Sequence, residues 1–323
     1  MREAGAGPPH AAPLLRAWIE GRPLAARRRA RSAALPAPLL AALPALQARL
    51  DALAVVAQEH ASADGSVRYL LRLGDGAAVE SVLLPREGLC VSTQAGCAVG
   101  CLFCSTGQAG LVRQLSAAEI CAQVAMARRH GSVRKVVFMG MGEPSHNLPA
   151  VLPAITFLAR EGGLGAKSLV FSTVGDARTF RRLEAHDTQP ALALSLHTLD
   201  ASLRARLLPR ATRADPARLL ELAAGYAERT GYPLQVQWTL LDEVNDGEAE
   251  AERLAALLRG RRAMVNYIPY NEVPGAPFRR PPIERMRGLA RRLHASGVLA
   301  KLRRSAAQDV GGACGQLRAG AAP

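Results

Sequence analysis

Four of the six cysteines in this chain fall between Cys90 and Thr106, in the run CVSTQAGCAVGCLFCST. Three of them, Cys97, Cys101 and Cys104, follow the spacing C-x3-C-x2-C. Thiolates this close in sequence can converge if the loop between them curls. Three soft sulfur donors on one loop suit an iron–sulfur cluster or zinc. A closed structural zinc site needs a fourth ligand, usually from a second Cys or His pair. The local set here stops at three, and a four-iron cluster held by three thiolates leaves one iron open to bind something else. Three buried structural cysteines without metal are the simpler alternative, but packing gives no reason for so dense a run.

The remaining thiols differ in character. Cys314 lies in GGACGQL, between glycines that imply an exposed, flexible loop where a free thiol is normally avoided. Cys90 precedes Cys97 by seven residues, outside the cluster spacing. A nucleophilic thiol and a resolving thiol are a familiar functional pair, which makes Cys90 and Cys314 candidates for one. Cys121 has apolar neighbours in a helical stretch and reads as a packing residue.

The elements that must position these groups follow a regular alternation. RYLLRL and AVESVLL, joined through Asp75-Gly76, read as two strands and a turn. Glu80 sits inside the second; a carboxylate there is most often an exposed edge-strand charge. Ser116 and Glu119 form a capping box that opens a helix to about Arg129. Then come VRKVVFMG, SLVFSTVG, ALALSLH, LQVQWTLL, AMVNYIPY and VLAKLRR as strands, separated by helical stretches such as Leu148 to Arg160 and Ile283 to Ala295. Mostly apolar strands alternating with helices make an α/β fold with a parallel sheet covered by helices. About six βα units predict an open, partial barrel. The expected organisation is an Ala/Arg-rich, mostly helical region over 1–64, a β-hairpin over 65–84, a catalytic barrel over 85–310 and a tail over 311–323 carrying Cys314. The leucines between Pro38 and Val56 recur at helical spacing.

In parallel βα folds the site lies at the carboxyl ends of the strands. Gly142 and Glu143, Ser172, Ser195 and His197, and Asn271 all fall there, as does the cysteine loop. Together they suit a zwitterionic nucleoside such as S-adenosylmethionine (SAM). Glycine lets backbone approach, Glu143 can pair with an ammonium, the hydroxyls and imidazole can bond carboxylate or ribose oxygens, and Asn271 can read an adenine edge.

Composition narrows the partner. Lys and Arg number 41 against 27 Asp and Glu, a net charge of +14, which favours polyanions such as nucleic acid. No run of eighteen apolar residues predicts a membrane span, and no signal core opens the chain, so a cytoplasmic protein is expected. In that compartment clustered cysteines point to metal or redox chemistry rather than a disulfide framework.

With these residues in place, the chain resembles the RlmN/Cfr family of radical SAM RNA adenine methyltransferases. The matching stretches are AVESVLLP, LCVSTQAGCAVGCLFCSTGQAG, GMGEPSHN, STVGD, SLHTLD, LDEVND, VNYIPYNEVPGAPF and ACGQL, in the family's order from about residue 65 to 317. The resemblance implies a partial (βα)6 radical SAM barrel. It implies a [4Fe–4S] cluster on Cys97, Cys101 and Cys104, with SAM bound by Gly142, Glu143, Ser172, Ser195, Leu196, His197 and Asn271. It further implies two SAM per turnover: one methylates Cys314, and one yields a 5′-deoxyadenosyl radical that takes hydrogen from that methyl group. The carbon radical would add to an adenine ring carbon, C2 in preference to C8, of rRNA or tRNA. Glu80 would take the ring proton and a Cys90–Cys314 disulfide would release the product. A monomer served by an electron donor such as flavodoxin or ferredoxin is expected. The chain departs from the family at Ser305-Ala306-Ala307, at Gln237-Trp238 and in its N-terminal region, away from the cluster and SAM motifs. A divergent branch acting on another RNA, or on a non-RNA substrate, is the alternative.

Overall fold

A computed structural model describes residues 7–26 and 35–318. The basic run Arg27-Arg28-Arg29 with Arg31, a candidate phosphate contact in the sequence, lies outside the described residues. The strands are β1 (Val55–Ala61), β2 (Val67–Arg72), β3 (Ala78–Leu84), β4 (Gly88–Cys90), β5 (Gln94–Gly96), β6 (Leu111–Gln114), β7 (Lys135–Phe138), β8 (Leu169–Thr173), β9 (Ala191–Ser195), β10 (Leu234–Leu240), β11 (Ala263–Pro269) and β12 (Leu299–Leu302). The helices are α1 (Pro8–Ile19), α2 (Ala37–Asp51), α3 (Ser105–Gln108), α4 (Ala117–His130), α5 (Leu148–Arg160), α6 (Ala177–Glu184), α7 (Ala201–Leu207), α8 (Pro216–Thr230), α9 (Glu248–Leu258) and α10 (Ile283–Ala295).

Ten strands form one sheet in the order β1-β2-β3-β4-β7-β8-β9-β10-β11-β12. From β4 onward every pairing is parallel; β1 to β4 pair antiparallel. The parallel run is the expected series of βα units, closed by β12 as a further strand. It is an open sheet: β1 and β12 stand at opposite ends of the strand order.

Alternation along the strands separates two faces. Leu169, Phe171, Leu192 and Leu194 face the helices and join the main core. Val170, Ala191 and Ala193 form a small second core on the other face, with half-buried Val137 and Met139. The same alternation brings Ser172 and Ser195 onto that inner face, one step nearer the strand ends.

Two segments differ from the expectation. The helix expected from Pro38 to Val56 stops at Asp51, and Val55 opens β1. The expected hairpin is therefore the centre of a four-stranded antiparallel meander, and the region before residue 65 holds a strand as well as helices. Glu80 is no edge charge. β3 lies between β2 and β4, and the residue is only 2% exposed. The capping box forms as expected, Ser116 Oγ accepting from the Glu119 amide and Glu119 from that of Ser116. Cys121 is buried in α4.

Candidate active site

The cysteine loop runs from β4 to α3 and is shaped by backbone contacts that leave no room for side chains. A Cβ on Gly96 would stand 1.9 Å from the Gly110 carbonyl oxygen, and one on Gly107 would stand 2.7 Å from the Cys101 amide nitrogen. Both positions therefore require glycine. β5 and β6 close the loop as a small ribbon, and the Cys97 amide donates to the Gly110 carbonyl at 2.8 Å. Cys97, Cys101 and Cys104 share one apolar patch with Phe103, Leu207, Leu208 and Tyr270.

Burial holds all three thiols protonated. Burial pushes Cys97 up to about 12, and Cys101 is raised well above its ordinary value by burial and then by the other two sulfurs. Burial also raises Cys104. Among the described residues no three Cys, His, Asp or Glu side chains converge tightly enough for a single metal ion. A four-iron cluster gives each thiolate its own iron, so its ligands stand further apart than those of one zinc ion. Three thiols on a curled loop, sharing an apolar patch, are a donor set that fits an iron–sulfur cluster.

Glu143 follows β7 and is 5% exposed. Its carboxylate accepts from the Ser145 amide at 3.1 Å and from the Val174 amide at 3.0 Å, tying the loop after β7 to the loop after β8. Its own amide donates to Gln94 Oε1 at 2.7 Å. Gly142 has φ of +103°, and a Cβ there would lie 2.6 Å from that of Gln94. The side chain of Gln94 thus accounts for the glycine without a ligand. Ser172 and Ser195 are the last interior-facing positions of β8 and β9, while Leu196 is buried in the main core.

His197 sits in a left-handed conformation, φ +63°, held by neighbours on two elements. Its Nδ1 accepts from the Thr239 amide at 3.0 Å, and its carbonyl accepts from Asn245 Nδ2 at 2.8 Å. The ring packs edge-on against Phe103, 4.8 Å between centroids. With Nδ1 accepting, the proton rests on Nε2, and the neutral ring offers a donor. Burial, and then nearby Arg204, press its pKa down to about 3. The folded pKa therefore lies below the ordinary 6.5. As pH falls through 6.5 the unfolded chain takes a proton that the folded chain refuses until about 3, so stability is full above 6.5 and declines below it. The urea midpoint of metal-free protein should fall between pH 7.5 and 5.5, at a slope of at most about 1.4 kcal/mol per pH unit from this group. His197→Gln should flatten the decline; an identical pH dependence in both proteins would contradict it.

The segment carrying Cys314 folds back over the rim. Asp64 accepts from the Ala307 amide, and Asp309 accepts from Ser62 Oγ and the Ala63 amide, so the turn between β1 and β2 holds its near part. Asn271 Nδ2 donates to Ser305 Oγ at 2.9 Å and to the Cys314 carbonyl at 3.0 Å, while its Oδ1 accepts from Gln308 at 3.0 Å. The Gly315 carbonyl accepts from the Ser105 amide at 2.7 Å, and the Leu317 carbonyl from Thr106 Oγ1 at 2.5 Å. The Arg318 amide donates to Glu80 Oε2 at 2.6 Å.

Glu80 is thereby joined to the tail. Arg68 donates to its other oxygen at 2.6 Å, and Ser92 Oγ donates to its backbone carbonyl at 2.5 Å while accepting from the Met141 amide at 2.8 Å. Burial raises the carboxyl above its ordinary pKa, and the Arg68 charge and Arg318 amide only partly offset it. Cys90 is in register with Val82, two residues along β3 from Glu80. Cys90 is pushed up to about 12 by burial and then by Cys314; Cys314 is pushed up to about 11 by burial and then by Cys104. The residue Cys314 has exposed surface, yet its sulfur lies low enough in the rim to feel both.

The fold thus gathers the cluster cysteines, Glu143, His197, Asn271, Cys314, Cys90 and Glu80 at one end of the sheet. Sequence reasoning missed Gln94, Asn245 and Arg204. Asn245 lies in the LDEVND stretch and accepts from the Leu241 amide at 2.7 Å while holding His197. Gln94 and Arg204 carry no signal that sets them apart from their neighbours.

The Radical SAM superfamily model matches residues 91–255, which span the site from the cysteine loop to β10 and α9. A "Probable RNA methyltransferase" of Thiobacillus denitrificans is 60% identical over 319 residues, covering 99% of this chain and 88% of that protein. One of the same description from Aromatoleum aromaticum is 59% identical over 319 residues, covering 99% of this chain and 90% of that protein. Among solved structures, a radical SAM methyltransferase from Sphaerobacter thermophilus superposes with a TM-score of 0.80 at 38% identity, over 88% of this chain and 86% of that one.

Proposed function

This chain belongs to the radical SAM superfamily, and we infer that it is an RNA methyltransferase that modifies an adenine ring carbon by the chemistry of the RlmN/Cfr family. The observation that carries this reading is the folded-back tail, which brings Cys314 within electrostatic reach of both Cys104 and Cys90 and bonds to Glu80.

Cys97, Cys101 and Cys104 would hold a [4Fe–4S] cluster. Gly142, Glu143, Ser172, Ser195, Leu196, His197 and Asn271 would bind SAM beside it, two molecules being consumed per turnover. Loaded, the site supplies one-electron cleavage of SAM, with the electron coming from a low-potential donor such as flavodoxin or ferredoxin. An adenine C–H carbon is a poor nucleophile, so ordinary methyl displacement fails there and a radical route is needed. Cys314 carries the methyl group that is activated and becomes the covalent link to RNA. Glu80 accepts the ring proton; its raised pKa makes it a stronger base, active above that pKa. Cys90 would then give up its proton and bond to the sulfur of Cys314 as the sulfur–carbon bond breaks; the released carbon takes a proton to become the methyl group, and the one electron left over from radical addition is given up. His197, neutral throughout, orients and does not exchange protons.

The substrate is rRNA or tRNA, methylated at adenine C2. An unstacked adenine can reach the rim, as RNA loops allow. Nucleoside mass spectrometry of rRNA and tRNA from cells with and without the gene tests this. A 2-methyladenosine lost with the gene supports the reading. An 8-methyl product corrects the carbon, and unchanged RNA overturns the substrate.

The +14 charge has a local expression. Exposed Lys167, Lys301 and Arg303 each come within electrostatic reach of exposed Lys135, and none of the four is in a salt bridge among the described residues. Burial and these three neighbours lower the pKa of Lys135. Such a patch favours a phosphate backbone. Lys135→Glu with Lys301→Glu should weaken RNA binding uniformly across sequences. It should also reduce the slope of log K against log salt by about 1 per lost contact. An unchanged slope would place the RNA elsewhere.

A further inference from the structure

Arg204 is 3% exposed and lies on α7, beneath the rim. A buried charge is expensive unless paired, and arginine normally meets a carboxylate in its burial site. Arg204 has none within salt-bridge distance among the described residues. Its guanidinium instead donates to backbone carbonyls, to Val174 at 2.6 Å and more loosely to Ser195 and Thr212 at 3.5 Å each. Its Nε is buried with no hydrogen-bond partner. One donor therefore stands unbonded, and the charge has no direct ion-pair partner among the described residues.

The surroundings identify what is missing. Leu203, beside Arg204 in sequence, packs in the apolar patch of Cys97, Cys101 and Cys104. The end of the same helix is bonded to the cysteine loop, the Leu207 carbonyl accepting from the Leu102 amide at 3.0 Å. The anionic or ionisable groups within electrostatic reach of the guanidinium are Cys101 and Glu143. Glu143 accepts from the amides of Ser145 and Val174, while Arg204 holds the Val174 carbonyl, so the two charges meet at one residue without touching each other. Thiolates carrying an iron–sulfur core would bring negative charge to that place.

We propose that Arg204 is the counter-charge of the cluster, a positioning residue whose unpartnered donor and charge stabilise the iron–sulfur anion beside it. The role rests on the functional reading above, because it needs the cluster to be there. Arg204 places a fixed cation in a dry pocket beside the redox centre. Adding an electron makes that centre more negative, so the cation favours the reduced form and raises its potential. The bonds to Val174 and Ser195 fix the guanidinium against the ends of β8 and β9, where two SAM-binding candidates lie. The same residue thus sets cluster charge and rim geometry together.

The test uses full-length protein reconstituted anaerobically with iron and sulfide and titrated electrochemically, without SAM, under EPR detection. Arg204→Met removes charge and donors; Arg204→Lys keeps the charge and loses the fork. The Met variant should be harder to reduce by about tenfold in the one-electron equilibrium constant, about 59 mV more negative, with the Lys variant close to the native protein. A Met variant that holds its cluster at the native potential overturns the proposal, as do Lys and Met variants shifted alike. If the Met variant binds no iron, the Lys variant decides. A native-like cluster in it supports the charge, and equal loss assigns Arg204 to backbone anchoring alone. A native protein that assembles no four-iron cluster would overturn the functional reading itself, a result separate from any difference among the variants.

Discussion

Cys101→Ala protein, reconstituted anaerobically beside the native chain, is expected to fold and to hold almost no iron. The native chain should show a four-iron cluster by iron content and by EPR after reduction. Cys101 sits in the small apolar patch at the rim rather than in the main core. Loss of one sulfur atom there costs on the order of 1 kcal/mol of packing, so circular dichroism and thermal melting should change little. Two thiolates cannot keep a cluster that three hold, and every step that depends on the cluster stops. RNA methylation should drop below detection. Stoichiometric zinc in the native chain, or a four-iron cluster surviving in the variant, would contradict the assignment of the three cysteines.

The second large effect separates Cys90 from Cys314. With Cys90→Ala, methyl transfer to RNA should proceed to the point of attachment and stop, leaving a protein–RNA adduct at no more than one per chain. Breaking the bond between Cys314 sulfur and the methyl carbon needs a partner for the sulfur, and on the proposed reading that partner is Cys90, which lies within electrostatic reach of Cys314. Cys314→Ala should form neither adduct nor product, although its cluster remains. Denaturing gel electrophoresis with labelled RNA reads both. Free RNA alone from the Cys90 variant would remove Cys90 from the release step, and methylated RNA from the Cys314 variant would remove the covalent route. The raised pKa values of both thiols keep them protonated in the resting chain, which slows premature oxidation at a rim partly open to solvent.

Much of the fold and of the site is legible in the sequence, because the informative features are local. Cluster spacing, the capping box at Ser116 and the apolar strands depend on neighbours along the chain. β1 is not legible, because VVAQEHA is largely exposed and lacks the clear apolar alternation of a half-buried strand. The three-residue strand β5 has no period to detect. Arg204 and Arg206 look alike on an amphipathic helix, yet only Arg204 is buried among carbonyls. Asn271 has the donor and acceptor that an adenine edge requires. Its bonds to Ser305, Gln308 and Cys314 depend on how the tail folds back, which no spacing reveals. Gly142 reads as an opening for a ligand, while its contact is with Gln94, 48 residues earlier.

The tail's anchors join positions 211, 238, 243 and 247 residues apart. Synthesis runs from the N-terminus, so the cysteine loop leaves the ribosome long before Cys314 is made. At about 5–20 residues per second, the 210 residues between Cys104 and Cys314 take roughly 10–40 s. On the proposed reading, a nascent chain over that interval has its cysteine loop but lacks both the thiol that would carry the methyl group and the tail that bonds to Glu80. On that reading, competence for RNA attack arrives last, and a partly made chain cannot yet react with RNA.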